Sequence, residues 1–248
     1  MSWAPFEVIG FDADDTLWHS EDGFHANEQR FVDLVSPYAP DGVDVKAALT
    51  GVEKKNLSVL GYGVKAFGLS AVEAAITITN GRVPTSVIGQ IVDLIHDQLA
   101  APVRLLPQVP EVLEKVGSRY RLVLITKGDL VQQTRKVETS GLEHHFDQVD
   151  IVLEKDPTTY SRILGRVGVA PERFCMVGNS VRSDILPVIA LGGTGVHVPY
   201  PLLWDLEHID HDEHFAELAT IADLPHWLAE PVRAPRSGGL PPPSRRGR

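Results

Sequence analysis

Near its start the chain has an apolar run that ends at a cluster of acidic residues, and this pattern limits the folds that the chain can adopt. Residues 7–17 read Glu-Val-Ile-Gly-Phe-Asp-Ala-Asp-Asp-Thr-Leu. Val8, Ile9 and Phe11 suit a buried parallel strand, whereas the acids at 12, 14 and 15 (Asp12, Asp14 and Asp15) would be costly inside a core. We therefore expect the acids at the carboxyl end of the strand, the edge where open α/β sheets bind ligands. Their mutual repulsion favours a bound cation or a protonated acid, although a turn that caps the next helix would also use such residues.

Composition bounds the class of protein and its partners. The chain has 248 residues, of which 43% are hydrophobic, and a formal net charge of -10. This length suits one large domain or a domain with an insertion. A broad nucleic-acid surface needs clustered Lys and Arg, so we expect no nucleic-acid partner. A small phosphorylated metabolite is compatible with the acidic charge, because a metal and one or two local cations can hold a phosphate.

The sequence favours a cytoplasmic protein. Cys175 is the single cysteine, so no disulfide can form within the chain and a reducing compartment is expected. No apolar run approaches the length of a membrane span, which predicts no membrane partner. The first residues lack the basic region of a signal peptide.

The chain divides into segments of different periodicity. From Phe24 to about Leu106 the apolar residues recur at helical spacing, which predicts a separate helical unit. From Pro107 onward apolar runs alternate with helical stretches, which predicts βαβ crossovers and a parallel sheet. We therefore predict an α/β fold, a Rossmann-like parallel sheet core with an inserted all-helical cap. The core takes residues 1–17 and 105–230, the cap takes residues 18–104, and a disordered basic tail takes residues 231–248.

Polar residues follow the predicted strands at 121–126, 146–153 and 174–178, and a further strand is predicted at 195–198. Thr126 and the amides after it can hold phosphoryl oxygens near a helix start. Lys155 brings a cation to the next strand end. Asn179 and Asp184 bring hard oxygen ligands that could serve one Mg²⁺. Each group alone has an ordinary explanation as a cap, a solvated side chain or a turn.

Taken in order, these segments resemble the haloacid dehalogenase superfamily over residues 7–17 and about 105–200. The first family motif, Asp-x-Asp-x-Thr, is matched by Asp12-Ala13-Asp14-Asp15-Thr16. The second, a Ser or Thr, is matched by Thr126, and the third, a Lys or Arg, by Lys155. The fourth, Gly-Asp followed by a second acid, is matched with one change by Gly178-Asn179-Ser180 through Asp184. The helical insertion resembles the family's cap in place and character.

This resemblance implies a phosphatase that forms an aspartyl-phosphate on Asp12, with Asp14 as general acid and base. Members that dehalogenate carbon substrates lack an acid at the position of Asp14. A carboxylate attacks an anionic phosphate ester only when a metal neutralises charge, so Mg²⁺ is the expected cofactor. The implied catalytic residues are Asp12, Asp14, Thr126 and Lys155, the substrate-binding residues are Thr16, Lys127 and Gly128, and the metal ligands are Asp12, Asp14, Asn179 and Asp184.

Two residues depart from the family pattern. Asn179 stands where many family phosphatases have Asp, and the lost negative charge should weaken metal binding. Lys127 replaces a common Asn, and it either adds a cation at the pocket rim or points into solvent. Thr16 is expected to order the loop rather than to react, and Asp15 has no expected chemical role.

The leading hypothesis is a magnesium-dependent phosphatase of a small phosphomonoester, with the cap closing over the site. The alternatives are a phosphomutase, a metal-free haloacid dehalogenase-like hydrolase, and a catalytically silent phosphate-binding or signalling domain. Both a monomer and a homodimer are compatible with the sequence. The run at 207–214 is interpreted as a solvated acidic loop, and Trp204 and Trp227 are expected to pack the C-terminal segment onto the sheet domain.

Overall fold

A computed structural model of the chain describes residues 6–202, 204 and 207–230. The predicted basic tail at 231–248 lies outside these residues. Six strands of the described part form one sheet in which every neighbouring pair is parallel. They are β1 (Val8–Phe11), β2 (Arg121–Lys127), β3 (Gln148–Val152), β4 (Phe174–Gly178), β5 (Thr194–His197) and β6 (Ala216–Glu217), and their order is β3-β2-β1-β4-β5-β6.

Strand β1 lies between β2 and β4, and its four residues are all buried. Gly10 pairs with Val123 on one side and Met176 on the other. A Cβ added at Gly10 would lie 2.5 Å from a ring carbon of Phe174, so this position has no room for a larger residue. One apolar cluster packs on each face of the sheet, which explains why these strands are continuously apolar.

Five α-helices lie between β1 and β2, and the first four of them pack together. Phe31, Leu49 and Ile91 belong to an apolar core of these helices that is separate from the two clusters on the sheet. We propose on this basis that residues 18–104 form the cap. These first four helices are α1 (Glu21–Val35), α2 (Val45–Leu60), α3 (Val64–Ile78) and α4 (Thr85–Ala100).

The later helices connect the strands of the core. The helix that follows β4 begins with a π-helical turn, Val181–Ile185. Pro187 has no N–H to donate to the Ser183 carbonyl four residues earlier, and the Tyr160 hydroxyl donates to that carbonyl at 3.1 Å instead. The helices are α5 (Val109–Gly117), α6 (Leu130–Ser140), α7 (Pro157–Val167), α8 (Leu186–Ile189) and α9 (Leu224–Trp227).

The structure confirms the predicted α/β fold with a Rossmann-like parallel sheet. The third strand is shorter than the predicted 146–153, because a 3-10 turn, Glu143–His145, precedes it and Leu153 is 82% exposed. Strand β6 has two residues, too few to show an alternating or apolar pattern, and was not predicted. Within the described part of the chain, no helix has the length and apolar character that a membrane crossing requires.

Candidate active site

A buried lysine joins two carboxylates at the carboxyl edge of the sheet. Asp12 directly follows β1, and Lys155 lies in the turn between β3 and α7. The Lys155 ammonium donates to Asp12 Oδ1 through a short hydrogen bond and to Asp184 Oδ1 at 2.7 Å. The exposed fractions are 6% for Asp12, 4% for Lys155 and 1% for Asp184. Three residues that the sequence places at different strand ends therefore meet in one buried cluster.

The cluster carries an excess of negative charge. Burial raises the pKa of Asp12 to about 7, although the Lys155 ammonium acts in the opposite direction. Burial alone would lower the pKa of Lys155, but the carboxylates of Asp12 and Asp184 outweigh it and raise this pKa well above its usual range. One ammonium faces two carboxylates, so ionisation of both acids leaves one uncompensated negative charge. A cation at this edge would balance that charge.

Thr16 links the first and fourth motifs. Its hydroxyl donates to Asp12 Oδ2 at 3.0 Å and accepts from the backbone N–H of Asn179 at 3.1 Å. Thr16 is 1% exposed and does not line the cavity described below. This geometry favours a positioning role for Thr16 over contact with substrate.

The Asn179 side chain faces two further oxygens. One terminal atom of its amide lies 3.1 Å from the Asp14 carbonyl oxygen and 3.2 Å from Asp12 Oδ2. With nitrogen at that place, the amide donates to both oxygens. With oxygen there, three hard oxygen atoms converge, which is the donor set that Mg²⁺ prefers. Among the described residues no group of three or more His, Cys, Asp or Glu side chains is placed to hold a metal. The ligand set that fits here therefore combines a carboxylate, a backbone carbonyl and a side-chain amide oxygen.

Asp14 is held by three donors. Trp18 Nε1 donates to Asp14 Oδ1 at 2.6 Å, and Lys136 Nζ donates to the same oxygen at 2.8 Å. Gln133 Nε2 donates to Asp14 Oδ2 at 3.1 Å and to Thr126 Oγ1 at 2.7 Å. Gln133 therefore connects the first motif with the second.

Gln133 and Lys136 were not predicted from the sequence. Both lie on α6, three residues apart, and so project from one side of the helix. The signal that could have found them is a pair of polar side chains at helical spacing directly after the Thr126 strand end. Gln133 is 2% exposed, and a fully buried amide of this kind requires polar partners.

Asp15 holds the start of α1. Its φ of 63° places it in a tight turn. Its carboxylate accepts from the amide of Ser20 at 2.8 Å and from that of Glu21 at 3.1 Å, where α1 begins. Burial raises the pKa of Asp15 to about 7. The turn-and-cap interpretation therefore describes Asp15.

The second strand end differs in part from its predicted geometry. Thr126 is 1% exposed and lines the cavity, and its hydroxyl accepts from Gln133. Gly128 has a φ of 147°, a conformation that favours glycine. Its amide donates to the Val152 carbonyl at 3.2 Å, so it is engaged in the sheet and not directed at a phosphoryl oxygen, as the sequence had suggested.

Lys127 points into the site and not into solvent. Its ammonium lies 3.4 Å from Glu154 Oε1 and 2.6 Å from Glu207 Oε1. It also lies 4.1 Å from the ring centroid of Tyr62, a cap residue. The first of the two alternatives for Lys127, a cation at the pocket, is therefore the observed one.

The segment after β5 also reaches the site, next to Lys127. Residues 208–214 are exposed, as predicted for a solvated loop, but the prediction is wrong for Glu207, which turns inward. Trp204 contacts the ring of Tyr62 on the cap, with 5.8 Å between ring centroids, whereas the sequence predicted contact with the sheet domain. Trp227 does pack on that domain, stacked on Phe6.

These residues surround one cavity of about 250 Å³ between the cap and the core, which we call the catalytic cavity. The core contributes the four predicted catalytic residues together with Lys127, Gly128, Asn179 and Asp184. The cap contributes apolar side chains, including Phe24, Leu57 and Phe67, and polar ones, including Glu21 and Tyr62. A cavity of this size suits a small molecule.

A parallel sheet with an aspartate-centred site at its carboxyl edge, covered by inserted helices, defines a class of α/β hydrolytic enzymes. The model of the family described as haloacid dehalogenase-like hydrolase matches residues 6–192. The chain belongs to that family, and it is an enzyme of the hydrolase class.

Individual relatives agree with this assignment. A haloacid dehalogenase-like family hydrolase from Xanthomonas campestris is 39% identical, with coverage of 90% of this chain and 91% of that one and a TM-score of 0.82. The glyceraldehyde 3-phosphate phosphatase of Methanothermobacter thermautotrophicus is 32% identical over 109 residues. That match spans 42% of this chain and 48% of the phosphatase, about half its length.

A more distant structure shares the fold alone. The 2-haloacid dehalogenase from Pseudomonas syringae is 21% identical, with a TM-score of 0.60 and coverage of 90% of this chain and 98% of that one. At this identity the likeness concerns the arrangement of helices and strands and leaves the reaction open.

Proposed function

We propose that the enzyme is a magnesium-dependent phosphatase that cleaves a small phosphomonoester through an aspartyl-phosphate intermediate. The observation that carries this proposal is the position of Asp14. Its carboxyl group lines the cavity of the Asp12 nucleophile, while its carbonyl oxygen faces the Asn179 amide. A single residue thus offers both a proton-transfer group and a metal ligand. The named phosphatase among the relatives supports the same reaction.

The residues fit Mg²⁺, and they would hold it through Asp12 Oδ2, the Asp14 carbonyl oxygen and the Asn179 side-chain oxygen. Bound there, the ion would neutralise phosphate charge and so allow a carboxylate to approach phosphorus. Both oxygens of Asp184 are engaged, by Lys155 and by the Ser180 amide. We therefore propose that Asp184 holds Lys155 in place and that Asn179, rather than Asp184, would ligate Mg²⁺ directly.

The chain's own residues supply the remaining steps. Asp12 attacks phosphorus, the bond from phosphorus to the leaving oxygen breaks, and Asp14 gives that oxygen a proton. Asp14 then takes a proton from water, which attacks the phosphorylated Asp12 and releases inorganic phosphate. Lys155 balances charge on Asp12 and the transferred group, while Thr126 offers a hydroxyl to a phosphoryl oxygen. The cap side chains exclude bulk water from the cavity.

Asp14 also separates this reaction from the alternatives. A halide leaves without a proton, so dehalogenation gives Asp14 no task. Three donors fix the orientation of its carboxyl group beside Asp12, which suits transfer of a proton at a defined place. A phosphomutase or a silent phosphate-binding domain would share the site without net hydrolysis. A cytoplasmic location and a monomeric or homodimeric state complete the proposal.

A colorimetric screen of phosphomonoesters with and without Mg²⁺ tests the proposal. We expect turnover that needs Mg²⁺ and disappears in Asp12→Asn. Asp150→Asn is the matched control, because Asp150 is a buried acid on β3 outside the cavity, paired with Arg166. Absence of turnover for every ester would sink the proposal, and metal-free hydrolysis of a 2-haloacid would replace it with the dehalogenase reaction.

A further inference from the structure

Three donors meet on one side of the catalytic cavity, apart from the Asp12–Lys155 cluster. Lys127 Nζ, at the end of β2, lies 3.1 Å from Ser183 Oγ, and Ser180 lies in the same turn after β4. Strands β2 and β4 flank β1, so these donors approach each other across the strand end that carries Asp12. The two serines are 6% and 4% exposed. We call Lys127, Ser180 and Ser183 the donor cluster.

A carboxylate fills the donor cluster. Glu207 Oε1 accepts from Lys127 Nζ at 2.6 Å, and Oε2 accepts from Ser180 Oγ at 2.5 Å and from Ser183 Oγ at 2.6 Å. Burial alone would raise the pKa of Glu207, but the Lys127 ammonium and the two hydroxyls outweigh it and lower this pKa. One ammonium and two hydroxyls thus recognise both oxygens of an ionised carboxylate.

The donors belong to a strand and to the turn after β4, whereas the carboxylate that they bind belongs to a connection between strands. Lys127 ends a strand, and the Ser183 amide donates to Ser180 Oγ at 3.1 Å, which orders the turn. Glu207 belongs to the connection between β5 and β6, and residues 208–214 after it are exposed and form no helix or strand. A preorganised set of donors filled by a side chain from such a connection can exchange that side chain for a ligand. An exchange of one carboxylate for another leaves the net charge of the cavity unchanged.

We propose that the donor cluster binds the carboxylate of a phosphorylated carboxylic acid, and that Glu207 occupies this subsite until the substrate enters. This inference rests on the proposed phosphatase function and narrows its substrate class. The phosphoryl group would lie at Asp12, and the second anionic group at Lys127. Both positions line the catalytic cavity of about 250 Å³, which suits a short carbon chain between the two groups.

A matched pair of ligands tests the subsite. 3-Phosphoglycerate and glycerol 3-phosphate have the same carbon chain and differ in a carboxylate against a hydroxymethyl group. Calorimetric binding to the Asp12→Asn protein with Mg²⁺ should favour 3-phosphoglycerate by about tenfold, the effect of one charge-assisted hydrogen-bond set. Lys127→Met in the same background should remove the preference. Glu207→Gln should increase it, because the internal competitor loses its charge.

Two further variants keep the test decisive. Ser183→Ala removes a donor from the core side and should reduce the preference even where changes at Glu207 disturb the loop. Asp210→Asn, an exposed acid of the same loop, is the control and should leave the preference as it is. Equal binding of the two ligands overturns the subsite, as does a Glu207→Gln variant that loses affinity for both alike. Because binding is measured without turnover, a persisting preference in an enzyme that hydrolyses no ester would overturn the phosphatase alone.

Discussion

Lys155 Nζ and Asp184 Oδ1 lie 2.7 Å apart, and both side chains are almost completely buried. The other Asp184 oxygen accepts from the Ser180 amide at 3.0 Å. Asp184 thus fixes the ammonium that contacts Asp12, the proposed nucleophile, and it also anchors the turn after β4. When one partner of a buried ion pair is removed, the other remains as an uncompensated buried charge, which lowers the stability of the fold.

Asp184→Asn should therefore reduce both stability and activity. The variant leaves Lys155 paired with Asp12 alone, which ties the nucleophile more tightly to its counter-ion. We expect the free energy of unfolding to fall by about 3 kcal/mol, the usual cost of breaking a buried pair. Urea unfolding and initial rates measure the two effects. Asp150→Asn should lower stability without a comparable loss of kcat, and equal activity losses in the two variants would contradict the assigned role.

Gln133 should matter for catalysis although it carries no charge. Its single amide nitrogen donates to Thr126 and to Asp14, so Gln133→Leu leaves both groups without that donor. Loss of about 1–3 kcal/mol of hydrogen bonding corresponds to a drop of about fivefold to 150-fold in kcat/KM. Steady-state kinetics at saturating Mg²⁺ measures it. Gln90→Leu, at an exposed position of α4, should keep wild-type kinetics, and unchanged kinetics in Gln133→Leu would refute the bridging role.

The cap face of the cavity should make stability depend on pH. Burial, with the carboxylates of Asp15 and Glu53 nearby, raises the pKa of Glu21 to about 8, from an ordinary value of 4.5. Between these values the folded state binds more protons than the unfolded state, so the free energy of unfolding falls as pH rises.

Glu21→Gln should reduce that decline without abolishing it, because Asp12 and Asp15, whose pKa values are raised to about 7, contribute in the same direction. Urea unfolding at pH 5, 6, 7 and 8 should show the variant gaining on wild type by on the order of 2 kcal/mol toward pH 8. Glu138→Gln, at an exposed position of α6, should run parallel to wild type across the series. A constant difference between Glu21→Gln and wild type over this range would show that Glu21 does not titrate there.

The predictable part of the fold and site is the part encoded locally. A parallel strand that is buried on both faces must be continuously apolar, so β1, β2 and β4 could be located almost to the residue. A carboxylate or lysine directly after such a strand has to lie at the ligand-binding edge. For that reason Asp12, Thr126 and Lys155 could be placed in one site without a structure.

The rest depends on contacts between distant segments. Gln133 has no motif, and its importance follows from lying opposite both Thr126 and Asp14. Glu207 lies in a run whose other members are exposed, and nothing local distinguishes it from them. The direction of Lys127 was undecidable for a similar reason, because its partners come from the cap, from the turn after β4 and from the C-terminal connection.

Asn179 offers a test of the metal site that needs no substrate. Asn179→Asp would place a second carboxylate beside that of Asp12 and the Asp14 carbonyl oxygen, where the amide now lies. Without a metal these oxygens repel one another, so the variant should melt at a lower temperature than wild type in EDTA. With Mg²⁺ the added charge should strengthen binding, and the melting temperature should rise more steeply with Mg²⁺ than that of wild type. Thermal unfolding across a Mg²⁺ series measures this, with Ca²⁺ as a comparison ion and Asn80→Asp, at an exposed cap position outside the cavity, as the matched control. If the melting temperature of Asn179→Asp does not change with Mg²⁺, the ion is not held at position 179.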